Sequence, residues 1–118
     1  MISITDFEKV EIRIGTVESA DVPSWSHWVM QLTVDFGEMG KKKIFSGIMK
    51  FYKPEDLIGK QFPFVVNLEP KRIGPADEAG VYNFSEGMMV MAVPAEDEDT
   101  PPVLFNLSSK VPNGTKVR

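Results

Sequence analysis

Eight of the thirteen lysines and arginines fall in residues 41–72 (Lys41, Lys42, Lys43, Lys50, Lys53, Lys60, Lys71 and Arg72), accompanied by only three acids. The flanks are acidic, with seven acids against two bases before residue 41 and seven against three after residue 72. The net charge is −4, but the field at a binding face is set by nearby charges rather than by the sum. A basic island suits phosphate, although a lysine run taken alone is more often a solvated face. Lys71 and Arg72 follow Pro70, where a loop reaches outward. Arginine holds phosphate through a bidentate fork and lysine as a point charge, so the binding role leads for this pair. Asn67 offers both a donor and an acceptor. Ser85 and Met88 flank Gly87 with a hydroxyl and a soft apolar side chain, suited to ribose or base. Asn67 and Ser85 serve equally well to satisfy backbone groups in turns.

Catalytic chemistry finds no constellation. His27 is the single histidine and no Ser/His/Asp pattern frames it. The chain has no cysteine, which excludes disulfides, thiolate zinc sites and a cysteine nucleophile. No phosphate-cradling glycine loop is present. Glu96-Asp97-Glu98-Asp99 lacks the alternating ligands and turning glycine of a calcium loop, and reads as an exposed acidic loop. Met49, Met88, Met89 and Met91 read first as core filler and second as a pliable groove. The expectation is a non-catalytic protein with no cofactor and no metal.

The elements that must position these residues are mostly strands. Apolar residues at Val10, Ile12 and Ile14 alternate with Glu11 and Arg13 over residues 10–17, the period of a half-buried strand. Gly15 suits a bulge or tight bend there. A second strand spans residues 28–36, with Trp28, Met30, Leu32, Val34 and Phe36 on one face. Residues 37–40 turn, and a third strand follows at about 42–46. Residues 53–59 open on a proline, carry early acids and close on Gly59, which predicts a short helix. Asp6–Lys9 reads as a helical turn. Residues 62–67 and 88–93 are short buried strands, 103–107 a terminal strand, and 111–115 contains a turn. At 118 residues the chain forms one domain, residues 1–118. Short strands without βαβ alternation make it all-β, as a five-stranded OB-fold Greek-key barrel with one short helix and extra terminal strands. Pattern alone also admits an SH3-like barrel. No apolar run approaches the roughly 20 residues of a membrane helix. The first residues lack a signal peptide's charged and apolar regions, so a cytoplasmic location is expected.

Seven stretches in order carry a resemblance: residues 6–15, 32–37, 45–48, 52–60, 65–72, 85–88 and 111–116. With Asp6-Phe7-Glu8-Lys9, Tyr52-Lys53-Pro54-Glu55-Asp56, Val65-Val66-Asn67-Leu68-Glu69-Pro70-Lys71-Arg72 and Val111-Pro112-Asn113-Gly114-Thr115, the chain resembles the tRNA-binding domain family. That family includes free-standing bacterial tRNA-binding proteins, CsaA-type export-related proteins and the C-terminal module of many methionyl-tRNA synthetases. The resemblance implies an OB-fold, recognition of folded tRNA mainly by shape, no catalysis, and a homodimer. The candidate RNA-binding residues are Arg13, Lys43, Ser46, Lys50, Asn67, Lys71, Arg72, Ser85 and Met88, of which Lys43 and Lys50 come from the basic island alone and Arg13 alternatively pairs with a carboxylate. Ile2, Ile4 and Phe7 near one end, with Val111 and Val117 near the other, are the expected dimer interface. A synthetase is a further expected partner. Unfolded polypeptide is the alternative ligand, which the aromatics Trp25, Trp28, Tyr82 and Phe84 would suit.

The chain departs from the family pattern at three places. The segment after the first strand reads Val22-Pro23-Ser24-Trp25-Ser26-His27-Trp28 and lacks a lysine associated with tRNA contact. Residues 73–84 are an insertion carrying Asp77 and Glu78, and Glu86 adds an acid beside Ser85. These acids are expected to oppose phosphate near Lys71 and Arg72.

Overall fold

The strongest alternation in the sequence becomes the centre of the sheet. The computed structural model describes all 118 residues. Strand β1, Ile12–Asp21, lies between β2, Met30–Asp35, and β4, Gln61–Val65, and both pair with it antiparallel. Strand β3, Lys41–Ser46, extends the sheet beyond β2, and β7, Met88–Met89, extends it beyond β4. Three short pieces complete the elements: the hairpin β5, Lys71–Ile73, with β6, Asn83–Ser85; the pair β8, Met91–Ala92, with β9, Val103–Leu104; and β10, Lys116–Val117. The only α-helix is the turn α1, Ile4–Phe7, whose capping box joins Ser3 and Asp6. No helix is long and apolar enough to cross a membrane.

One edge of β1 changes partner along its length. Ile12 and Arg13 pair with Val117 and Lys116 of β10, whereas residues from Thr16 onward pair with β2. Gly15 lies at the changeover. A Cβ there would press into Val34 and stand 2.8 Å from the Phe36 ring, so glycine is required by packing. The expected bulge is real but lies further on, between Val17 and Ser19, where the pairing register shifts.

The sheet curls around Val17, Met30, Leu32, Val34, Phe36, Ile44, Phe62, Phe64 and Met89, with Ile48, Leu57 and Val66 sealing the ends. Phe36 and Phe64 meet edge-to-face at 5.6 Å, the arrangement aromatic quadrupoles favour. The sheet closes between β3 and the chain at residues 85–87. The Glu86 N–H donates to the Lys43 carbonyl at 2.9 Å, and the Glu86 carboxylate accepts the Lys43 N–H at 3.0 Å. The result is a nearly closed five-strand antiparallel barrel of the OB type.

Three local expectations need correction. The helix expected over residues 53–59 is a single 3-10 turn, Pro54–Asp56. Gly59, at φ 82°, must turn back at once so that its N–H reaches the Val17 carbonyl at 2.8 Å. Trp28 is not on the inner face of β2. Ser26 Oγ accepts the N–H groups of Trp28 and Val29 and donates to the Val29 carbonyl, a tight turn that sends Val29 inward and Trp28 out. The apolar run 88–93 is two short strands: the Val90 N–H still bonds β4 at the Pro63 carbonyl, and from Met91 the chain pairs with β9.

Candidate nucleic-acid interface

The seam that closes the barrel also builds one rim of an open groove. Ser85 is buried, accepting the Phe45 N–H at 3.0 Å and donating to the Gly87 carbonyl at 2.9 Å. Gly87 allows this approach, because a Cβ there would stand 2.7 Å from the Val65 carbonyl oxygen. Beside the seam lies a groove of about 630 Å³. Trp28, Phe45, Leu68, Ile73 and Met88 supply its apolar lining, and Lys71 and Glu69 its charges. Trp28 and Met88, which line the groove together, are 55% and 51% exposed, so it presents a contiguous apolar surface.

The β5–β6 hairpin forms one flank of this groove and is the insertion noted in the sequence. Its register pairs Lys71 with Ser85, Arg72 with Phe84, and Ile73 with Asn83. Side chains alternate across a strand, so Lys71, Ile73 and Ser85 share the groove face while Arg72 and Phe84 take the opposite one. The hairpin is anchored by Trp25. Its indole lies over Gly74, where φ is 72° and a Cβ would strike the ring, and its other neighbour is Phe45 at 6.4 Å. Two of the three departures from the family pattern therefore pack against each other. Trp25 is half-buried by this contact rather than exposed. At the hairpin tip, Asp77 Oδ1 accepts the N–H groups of Ala79 and Val81, each at 2.9 Å.

A second groove, about 570 Å³, shares Trp28 and Gly47 with the first and is bounded by His27, Lys50, Phe51, Asp97 and Glu98. Lys50 donates to the Glu98 carbonyl at 2.9 Å and pairs with Asp99 at 3.2 Å. The acidic loop is held in shape by Asp97, which accepts from the Thr100 N–H and hydroxyl and the Asp99 N–H. Those bonds, the Thr100 N–H foremost, hold its carboxyl below the usual aspartate value.

The residues singled out in the sequence thus divide. Lys71, Ser85 and Met88 meet at the first groove, Arg72 lies on the far face of its hairpin wall, and Lys43 lies two residues before Phe45 on the outer face of β3. Lys43, Lys71 and Arg72 are in no ion pair, whereas Lys41 is paired with Glu18 and Lys50 with Asp99. The Glu18 contact raises the Lys41 amine above its ordinary value. Arg13 is bonded to Glu11 and to the Gly114 carbonyl. Asn67 clamps the start of β1, accepting from the Glu11 N–H at 2.9 Å and donating to the Lys9 carbonyl at 2.6 Å. Ser46 pairs in register with Met30 and is buried on the inner face, its hydroxyl without a partner. Of the acids expected to oppose phosphate, Glu86 is half-buried with its carboxylate on the Lys43 N–H. Ile2, Ile4 and Phe7 are exposed, and Val111 and Val117 partly so. Leu68 and Ile73 also line the groove, although sequence reasoning does not find them; the only signal is Leu68 breaking the polar run from Asn67 to Arg72.

Ser85 separates a structural role from a binding one. Ser85→Ala leaves the buried Phe45 N–H without its acceptor, which costs about 1–3 kcal/mol. Urea unfolding should show the loss as a lower midpoint. A variant that keeps the wild-type midpoint and loses only ligand would assign the hydroxyl to the ligand instead.

Barrel and groove together define a class: a small oligonucleotide-binding type of β-barrel with an open, partly apolar, cation-flanked groove at one rim. Residues 12–116 match the family described as the putative tRNA binding domain. The chain belongs to that family. It is 40% identical over 106 residues to the methionine–tRNA ligase of Burkholderia ambifaria (strain MC40-6), a match covering 90% of this chain but 14% of the ligase. Its fold is similar to that of the chaperone CsaA from Bacillus anthracis str. Ames, with a TM-score of 0.79, 39% identity, and 100% and 99% of the two chains covered. It is also similar to a MetRS related protein from Pyrococcus horikoshii, with a TM-score of 0.81, 34% identity, and 100% and 98% covered.

Proposed function

We propose that the domain binds the outer surface of folded tRNA along the Trp28–Met88 groove and performs no chemistry on it. The observation that carries this reading is an unpaired Lys71 on the wall of a groove whose lining includes exposed Trp28 and Met88. Cations supply phosphate attraction, and the apolar side chains supply contact with ribose and base. Lys43 extends the basic surface along β3. Relatives in which such a domain is about one-seventh of a methionine–tRNA ligase support association with a synthetase as a further role. Exposed Ile2, Ile4 and Phe7 support pairing of two copies through α1.

The apolar share of the groove, with Leu68, Ile73 and Trp28, favours a second reading in which it holds an unfolded polypeptide. Filter binding with folded tRNA, unfolded RNA and a denatured polypeptide separates the two. Folded tRNA should bind best, and its affinity should fall with salt at a slope of roughly −0.7 to −0.9 for each phosphate contacted. Binding unchanged across a tenfold range of salt, or a preference for the polypeptide, removes the tRNA reading.

A further inference from the structure

We infer that the outer face of the β5–β6 hairpin, turned away from the groove, is a stacking site for an unpaired nucleobase of RNA. The inference rests on the tRNA reading and adds a contact on the other side of the hairpin. Phe84 and Tyr82 are 46% and 41% exposed there. Arg72, paired in register with Phe84, holds its guanidinium carbon 4.4 Å from the centre of the Tyr82 ring. Arg72 takes part in no ion pair, so its exposed fork is uncommitted while it packs over the Tyr82 ring.

The three side chains offer two different kinds of contact side by side. The Phe84 ring offers a flat apolar face, and bases stack on such faces whatever their sequence. The positioned guanidinium offers in-plane donors for the phosphate that follows the base. A paired duplex hides its base faces, so the site selects loops and unstacked ends. The platform is also rigid. Trp25 on Gly74 fixes one end of the hairpin and Ser85 in the barrel seam fixes the other, while Asp77 ties the tip. A base that stacks there does not first have to order the loop.

The test uses filter binding of the full chain to folded tRNA, a fully paired RNA duplex and a denatured polypeptide. Phe84→Leu keeps an apolar strand residue and removes the ring; Phe84→Tyr keeps the ring. Phe84→Leu should lower tRNA affinity about tenfold. It should leave the salt slope unchanged, because no cation is lost, and leave duplex binding unchanged. Phe84→Tyr should bind tRNA as wild type does. Equal loss in both variants, an equal loss on duplex, a fallen salt slope, or a loss confined to polypeptide overturns the stacking site. So does a Phe84→Leu protein that binds tRNA like wild type, a result that leaves the groove reading standing. A wild-type chain that binds no tRNA removes both.

Discussion

Replacing Lys71 and Arg72 together by alanine should lower the affinity for folded tRNA by about thirtyfold. Each cation belongs to no ion pair and is exposed, so neither substitution abandons a buried partner. What disappears is charge-assisted bonding to phosphate, worth about 1.5–3 kcal/mol per contact before solvent screening reduces it. The salt slope should become shallower by roughly 1.5, the amount released with two phosphates. The two residues face opposite sides of the hairpin, so the single variants should each give about half of the logarithmic loss. The acids at the hairpin tip provide the opposite change. Asp77→Asn with Glu78→Gln removes two negative charges, and the amide introduced by the first substitution still presents an oxygen to the N–H groups that Asp77 Oδ1 now holds. Affinity should rise about two- to threefold if the tip lies within roughly a Debye length, 8 Å at physiological salt, of bound phosphate. Unchanged tRNA affinity in both double variants would remove the hairpin from the RNA site altogether.

Gly15→Ala should strongly destabilise the barrel by overpacking its core. The added carbon meets Val34 and the Phe36 ring, both fully buried, and Phe36 is already held edge-on by Phe64. None of these side chains has solvent to move into. Overpacking of this kind costs about 1–3 kcal/mol, and the upper end applies where several rigid neighbours close in at once. The melting temperature should fall by about 10–15 °C. tRNA affinity, measured well below that temperature, should be unaffected because Gly15 lines neither groove. A variant that melts with the wild type would mean that β1 slides or the ring turns at no cost.

How much of this can be read beforehand depends on how local each determinant is. The alternation around β1 and β2, the turning glycines and the basic island all announce themselves within a few residues, and the barrel follows from them. Alternation misplaces Trp28 because Ser26 Oγ captures two backbone N–H groups and holds Trp28 and Val29 in a turn, so β2 starts only at Met30. That event is a side-chain bond, and hydrophobic period does not register it. The β5–β6 hairpin is hidden for another reason. Its strands are three residues each, and what holds them is Trp25, far earlier in the chain, lying on Gly74. Asn67 and Ser85 are legible as polar residues at turns, and their chemistry fits either role. Only the partners they hold, Lys9, Glu11, Phe45 and Gly87, distinguish a clamp from a free donor.

The chain has two tryptophans, and the fold gives them different surroundings. Trp25 is wedged between Gly74 and Phe45 where β5 passes into the hairpin loop, while Trp28 stands more than half exposed on the ridge between the two grooves. Indole emission follows the polarity around the ring, so the protein carries a blue-shifted fluorophore under a fixed loop and a red-shifted one at a mouth. Light from the second changes when something fills a groove; light from the first holds steady as long as the hairpin stays packed. Occupancy and unfolding are therefore optically separable in the unlabelled protein.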